Sequence, residues 1–191
     1  MTQKYKIKKK KLEGLLELLP EVYKDERGFL TRIYEERVFK HLGLNTKWTE
    51  DLHHHTSKKH TLRGLYIQRR PFTEGKIMRS VKGKMLWVVV DVRKGSKTFG
   101  KWDSAILDDK KMNLFYTPRG LVHGALSLTD DVDMIIKGDT YFSGEKHGIG
   151  IRWDDPDLNI NWGLGKNKPI VSREHRNYSS FKEFVEKYGG F

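Results

Sequence analysis

The sequence predicts an all-β fold, a small barrel of two sheets with a few short peripheral helices. Short strand-like segments dominate as far as about residue 162, and turn signals such as residues 25–28 and 94–96 separate them. The segment 85–92 is apolar at almost every position, which is typical of a strand covered on both faces. Residues 118–124 turn into a strand with an inward-facing histidine, and such strands bring polar groups to the mouth of a small barrel.

The 191 residues predict one domain, 1–191, with one core. N-terminal strands are expected over 5–35 and the barrel over about 45–145. A short helix is expected from Glu35 to Leu42, ended by Gly43. A C-terminal helix is expected over 180–188, where Ser180 and Glu183 form a capping box. No repeat or linker divides the chain.

Composition excludes several classes of protein. The sequence contains no cysteine, which excludes thiol catalysis, disulfides and cysteine-bound zinc. No apolar stretch is long enough to span a bilayer, and the first residues do not resemble a signal peptide. We therefore expect a cytoplasmic protein without a membrane partner.

The net charge of +12 raises the question of nucleic acid, because clustered lysines neutralise phosphates. Here lysines are scattered and acidic residues lie between them, and no nucleic-acid module signature is present. The run Lys8 to Lys11 fits a solvated edge strand equally well. The pattern argues against nucleic acid as the main partner.

Several short motifs follow one another in a specific order along the chain. They are Asp25-Glu26-Arg27-Gly28-Phe29, Leu62-Arg63-Gly64-Leu65 with Gln68, Gly75-Lys76, residues 90–100, residues 118–124 and Arg152-Trp153-Asp154-Asp155-Pro156. In these motifs the chain, from about residue 18 to 175, resembles the dTDP-4-dehydrorhamnose 3,5-epimerase family, sugar-nucleotide epimerases of the cupin superfamily. The resemblance implies a double-stranded β-helix (jelly-roll) barrel and a homodimer that exchanges strands.

The resemblance also implies a reaction, in which a proton is removed next to a ketone and returned on the other face, with no cofactor. Lys76 matches the position of the lysine that stabilises the enolate in the family. In the family, the residues at the positions of Arg63 and His123 contact the diphosphate or the sugar, the residue at Arg27 contacts a phosphate, and the residue at Phe142 stacks on the nucleotide base. Gln68 and His175 are two further expected substrate contacts, Gln68 in a matched segment and His175 in a less securely aligned segment near the C-terminus.

Several of the family's catalytic positions hold other residues in this chain. The general-base histidine is replaced by Tyr66, and the aspartate that orients it aligns with His175. The catalytic tyrosine is replaced by Ile136, and a further aspartate by Trp87. A phenol with a pKa near 10 is a poor base at neutral pH, so a non-standard base is expected.

Three consecutive histidines offer a replacement base. Strand alternation places His53 and His55 on one face and His54 on the other. His53 and His55 align with small polar substrate contacts of the family, so we expect them to face the cavity, where one of them would replace the base with Tyr66 as its partner or acid. The alternative is a polar strand edge.

The usual cupin metal site is not expected. Its aligned positions hold Tyr66, Gln68, Lys76 and His123, and a protonated lysine at the carboxylate position repels a cation. A different site using His53, His55 and His123 is the alternative.

The expected base pocket also differs from that of the family. Arg32 and Asp51 stand where the family places a carboxylate and an amide near thymine. Arginine suits guanine and aspartate suits cytosine, so a CDP- or GDP-linked sugar is predicted in preference to a dTDP-linked one. A solvated ion pair is the alternative.

The sequence therefore predicts an epimerase or isomerase of a nucleotide-linked 4-keto-6-deoxy sugar, in the synthesis of a surface polysaccharide such as lipopolysaccharide. Two other functions stay open. One is a catalytically silent sugar-nucleotide binding homologue or partner subunit, and the other is a nucleic-acid binding protein.

Overall fold

A computed structural model describes residues 4–144 and 146–191 of the chain. Residues 1–3 and 145 of the predicted domain lie outside this part. The strands are β1 (Tyr5–Lys9), β2 (Leu16–Pro20), β3 (Tyr23–Asp25), β4 (Gly28–Leu30), β5 (Glu50–Thr56), β6 (Thr61–Gln68), β7 (Lys76–Lys82), β8 (Lys84–Asp91), β9 (Trp102–Asp108), β10 (Leu114–Thr117), β11 (Leu121–Ser127), β12 (Val132–Gly138), β13 (Gly148–Gly150) and β14 (Ile170–Val171). The helices are α1 (Glu36–His41), α2 (Arg173–Arg176) and α3 (Phe181–Tyr188).

Two sheets form the barrel, which confirms the predicted fold class. One has the order β1-β2-β10-β7-β12-β5 and the other β13-β6-β11-β8-β9, with β14 added beside β6. The pairs are antiparallel except β14 with β6. The small β3–β4 hairpin forms a separate two-stranded sheet.

The apolar strand β8 is covered on both faces, as its sequence predicts. Trp87 and Val89 point into the cluster between the two sheets. Val88 and Val90 point outward into a second cluster, where Phe184 of α3 covers them. Alternate residues of a strand face opposite sides, so a strand between two cores is apolar at every position.

The two predicted helices are also present. α3 begins after Ser180, whose side chain and that of Glu183 make the expected capping box, and it ends at Gly189 with φ 66°. α1 places Phe39 on the outer face of the first sheet in a third apolar cluster. Among the described residues, no helix is both long and apolar enough to cross a membrane.

Candidate active site

A cavity of about 640 Å³ opens at one end of the barrel. Strands β5, β6, β8 and β11 supply most of its wall. Phe142, Gly144 and Gly148, together with α2 and Tyr178, supply the rest. Trp87 lines the cavity without filling it, whereas Ile136 belongs to the core between the sheets. The lining residues are His54, Arg63, Gly64, Tyr66, Trp87, His123, Gly124, Ala125, Phe142, Gly144, Gly148, Glu174, His175 and Tyr178.

His123 connects the cavity to a buried charged pair. Its Nε2 lies 3.0 Å from the ammonium of Lys76, which lies 2.7 Å from Oε1 of Glu74. Burial, and then the Lys76 charge, lowers the pKa of His123 well below its usual value, so the ring is neutral and accepts a hydrogen bond from Lys76. Burial raises the pKa of Glu74, although Lys76 opposes this shift. Lys76 thus stands behind His123 and is not itself among the lining residues.

Tyr66 and His123 are directly opposite each other on β6 and β11. The Tyr66 hydroxyl is buried and has no hydrogen-bond partner among the described residues. Burial raises the pKa of Tyr66 to about 12, so the phenol stays protonated at neutral pH. Gly148 makes room for it, since a Cβ there would lie 2.7 Å from the tyrosine oxygen.

The segment around α2 closes the other side of the cavity. His175 accepts a hydrogen bond from the backbone N–H of Gly64 at 3.1 Å through Nδ1. The Tyr178 hydroxyl donates to Oε1 of Glu174 at 2.9 Å, and burial together with this bond raises the pKa of Tyr178. Its ring lies against Gly150, where a Cβ would overlap the ring carbons. The cavity wall therefore includes the carboxylate of Glu174, which accepts a hydrogen bond from the phenol of Tyr178.

The orientation predicted for the three histidines is wrong by one residue. His53 and His55 are exposed and both contact Oδ1 of Asp133, at 3.0 and 2.9 Å. His54 instead lines the cavity. The reason is the register of β5 on β12, in which His54 is opposite Met134, a residue of the buried core between the sheets.

Arg63 and Phe142, both expected to contact substrate, line the cavity. Gln68 does not line it, because its buried side chain holds the 141–143 segment. Its amide donates to the carbonyl of Tyr141 at 3.2 Å, and its carbonyl accepts from the backbone and hydroxyl of Ser143. Gln68 thus positions the segment that carries Phe142.

Three other predicted contacts lie away from the cavity in this chain. Arg27 sits at the exposed turn of the β3–β4 hairpin and pairs with Asp25. Asp51 is held by the ammonium of Lys137 at 2.7 Å, and Arg32 is an exposed residue outside the cavity wall. The predicted base pocket of Arg32 and Asp51 is therefore not formed.

Sequence reasoning missed His54, Glu174 and Tyr178. Tyr66 and Tyr178 form one side of the cavity, which we call the tyrosine wall. A signal for it is present in Gly148-Ile149-Gly150, since two glycines two positions apart on a strand leave one face free of side chains. Tyr66 and Tyr178 pack on that face. No comparable signal marks Glu174.

The barrel, with an arginine and neutral histidines on its cavity wall and a buried lysine behind one of these histidines, has the fold and the polar groups of the sugar-nucleotide epimerase class. A family model described as dTDP-4-dehydrorhamnose 3,5-epimerase matches residues 9–183. The chain belongs to this family.

The relatives and solved structures agree with this assignment. The chain is 36% identical over 176 residues to the dTDP-4-dehydrorhamnose 3,5-epimerase of Methanothermobacter thermautotrophicus, covering 92% of this chain and 94% of the relative. The crystal structure of that enzyme from Elizabethkingia anophelis matches with a TM-score of 0.88 at 30% identity, covering 94% of this chain and 97% of the other. The Legionella pneumophila epimerase in complex with dTDP-4-keto-L-rhamnose matches with a TM-score of 0.89 at 29% identity, covering 96% of each chain.

These comparisons correct the predicted nucleotide. The relatives are named for dTDP sugars, and two of the solved neighbours hold TDP and dTDP-4-keto-L-rhamnose, respectively. The predicted preference for CDP or GDP is wrong. Its physical basis is also missing, because Asp51 is neutralised by Lys137 outside the cavity.

Proposed function

We propose that this protein epimerises a 4-keto-6-deoxy sugar carried on dTDP. Family membership supports the substrate class, and the observation that carries the proposal is the cavity wall formed by Arg63 and by His123 with Lys76 behind it. Arg63 suits the diphosphate, because a planar guanidinium binds phosphate oxygens in pairs. The reaction is redox-neutral and needs no cofactor.

The buried ammonium of Lys76 supplies the electrostatic part of catalysis. Removing a proton next to the ketone places negative charge on the ketone oxygen, and a fixed cation in a poorly hydrated site stabilises that charge. Lys76 is held by Glu74 and His123, so it does not reorganise during the reaction. Its charge acts through His123, the ring between it and the cavity.

The proton acceptor is non-standard in this proposal. The proposal keeps the prediction from the sequence that Tyr66 and Ile136 stand where the family has its base and its tyrosine. The raised pKa of Tyr66 supports this proposal, because a phenol that stays protonated is not the base. The surface-polysaccharide pathway, the cytoplasmic location and the homodimer remain predictions.

Deuterium uptake tests the proposed function. The protein would be incubated with dTDP-4-keto-6-deoxyglucose in D₂O, and NMR would follow the protons at the two carbons flanking the ketone. We expect exchange at one or both carbons. Binding of dTDP without exchange would contradict the enzyme and favour the catalytically silent homologue.

A further inference from the structure

Proton abstraction requires an acceptor atom with an unoccupied lone pair on the cavity wall. Two of the lining groups are phenols whose pKa is raised by burial, Tyr66 and Tyr178, so neither accepts a proton at neutral pH. Arg63 is a permanent cation. The acceptor must therefore be a histidine or the carboxylate of Glu174.

In two of the three cavity histidines, the lone pair of the neutral ring already accepts a hydrogen bond. His123 uses Nε2 to accept from Lys76, and a backbone hydrogen bond with Leu121 also engages it. His175 uses Nδ1 to accept from Gly64, so its neutral ring carries the proton on Nε2 and can only donate into the cavity. Neither ring offers a free lone pair.

His54 differs from these two rings because its hydrogen-bond partner does not fix which ring nitrogen carries the proton. Its one described hydrogen bond joins Nε2 to the hydroxyl of Thr56 at 3.1 Å. A hydroxyl can donate or accept, so either ring nitrogen of His54 can hold the lone pair. Burial, and then the charge of Arg63, lowers the pKa of His54 to about 4, so the ring is neutral at physiological pH.

We propose that His54 is the proton acceptor of the reaction, an inference that rests on the proposed function. The C–H bond next to the ketone breaks, its electron pair forms the enolate, and the proton moves to a ring nitrogen of His54. A water molecule then protonates the opposite face of the carbon. The hydroxide that remains takes the proton from the His54 imidazolium, which restores the enzyme.

Substrate binding strengthens this base. The charged and titratable groups that act on His54 are Arg63 on β6, Lys76 on β7 and the flanking His53 and His55 on β5. A diphosphate bound by Arg63 offsets its charge and raises the pKa of His54. Activity requires the neutral ring and is lost as the pH falls, so the acidic limb of kcat should lie at higher pH than that of kcat/KM.

The chain contains its own matched controls, because His53 and His55 flank His54 on the opposite face. The variants His53→Asn, His54→Asn and His55→Asn would be compared by deuterium exchange, with thermal stabilisation by dTDP as the measure of an intact pocket. We expect His54→Asn to lose on the order of 10²- to 10⁴-fold in exchange rate with dTDP stabilisation retained. The two flanking variants should stay within about threefold of the parent protein.

A second pair of variants separates a chemical role from a structural one. In His54→Ala, added imidazole should restore exchange several-fold, and it should have no effect on His53→Ala. An exchange rate in His54→Asn within threefold of that of the parent protein would overturn the proposal. A loss of exchange in Glu174→Gln larger than that in His54→Asn would also overturn it and would identify Glu174 as the acceptor. If the parent protein itself shows no exchange, the proposed function has failed instead.

Discussion

At the scale of single residues, the Glu74–Lys76–His123 chain concentrates charge in the barrel interior. The side chains of Lys76 and Glu74 are 13% and 6% exposed, so both ions are largely removed from water. A buried ion pair adds little net stability, but removing one partner leaves the other unpaired at a high cost. We infer that Glu74 holds the ammonium of Lys76 in a fixed position next to His123.

Replacing Lys76 with methionine should therefore affect both activity and stability. We expect deuterium exchange to fall by more than about 100-fold, because the cation that stabilises the enolate is removed. Denaturant unfolding should show a loss of about 1–3 kcal/mol, because Glu74 is left without a partner. Lys82→Met on the same strand, where Lys82 is exposed, is the control, and an equal loss of exchange there would contradict this assignment.

Buried neutral histidines make stability depend on pH. The pKa of His123 is lowered, so at pH below about 6.5 the unfolded chain binds a proton that the folded protein does not, and stability falls as the pH falls. The cost approaches about 1.4 kcal/mol per pH unit for each such group. The raised pKa of Glu74 acts in the opposite direction, so the effect of His123 must be isolated by mutation.

The variant His123→Gln should flatten the decline in melting temperature between pH 6.5 and 4.5. The exposed His41 at the end of α1 offers a matched change, His41→Gln, that should keep the decline of the parent protein. An unchanged slope in His123→Gln would show that His123 is protonated in the folded protein.

At the scale of elements, the phase of a strand decides which side chains reach the cavity. β5 reads Glu-Asp-Leu-His-His-His-Thr, with three identical residues at the centre, so no apolar alternation shows which histidine points inward. Only the pairing with β12 sets that phase. By contrast, α3 could be predicted with its cap and its end, because those signals are local in sequence.

The short strand β13 supports the tyrosine wall through its glycines. Gly148→Ala should displace Tyr66, since the new Cβ would lie 2.7 Å from its ring and hydroxyl, at a cost of about 1–3 kcal/mol. A double-mutant cycle with Tyr66→Leu, measured by urea unfolding, should give a coupling above about 0.5 kcal/mol. Additive effects would show that the two residues are not in contact.

At the scale of the whole molecule, the β3–β4 hairpin lies outside the two sheets of the barrel. Its strands pair only with each other among the described residues, and Phe29 and Leu30 are 58% and 60% exposed. Exposed apolar pairs of this kind mark interaction surfaces. We expect them to be covered by a second copy of the chain in the predicted homodimer.

The double variant Phe29→Glu/Leu30→Glu should shift the protein from dimer towards monomer in light scattering at low micromolar concentration. The matched control Val81→Glu changes an apolar residue that is 43% exposed on β7 and should leave the assembly unchanged. A parent protein that is monomeric throughout would contradict the predicted homodimer.

The architecture, the helices α1 and α3, and part of the cavity wall could be predicted from sequence, because ordered motifs and local patterns determine them. The short helix α2 was not predicted. The nucleotide could not be predicted, because matching positions in a sequence do not show where side chains point, and neither Arg32 nor Asp51 lines the cavity. The orientation of the histidines depended on a pairing between segments about 80 residues apart, which no local pattern encodes.

A crystal structure with a dTDP-linked 4-keto-6-deoxy sugar, or a non-reacting analogue of it, tests the central claim most directly. The account predicts the hexose inside the barrel mouth, with a ring nitrogen of His54 within about 3.5 Å of a carbon next to the ketone and the diphosphate on Arg63. A sugar bound outside this cavity, or one whose acidic carbons lie beyond reach of His54 and Glu174 alike, would contradict it.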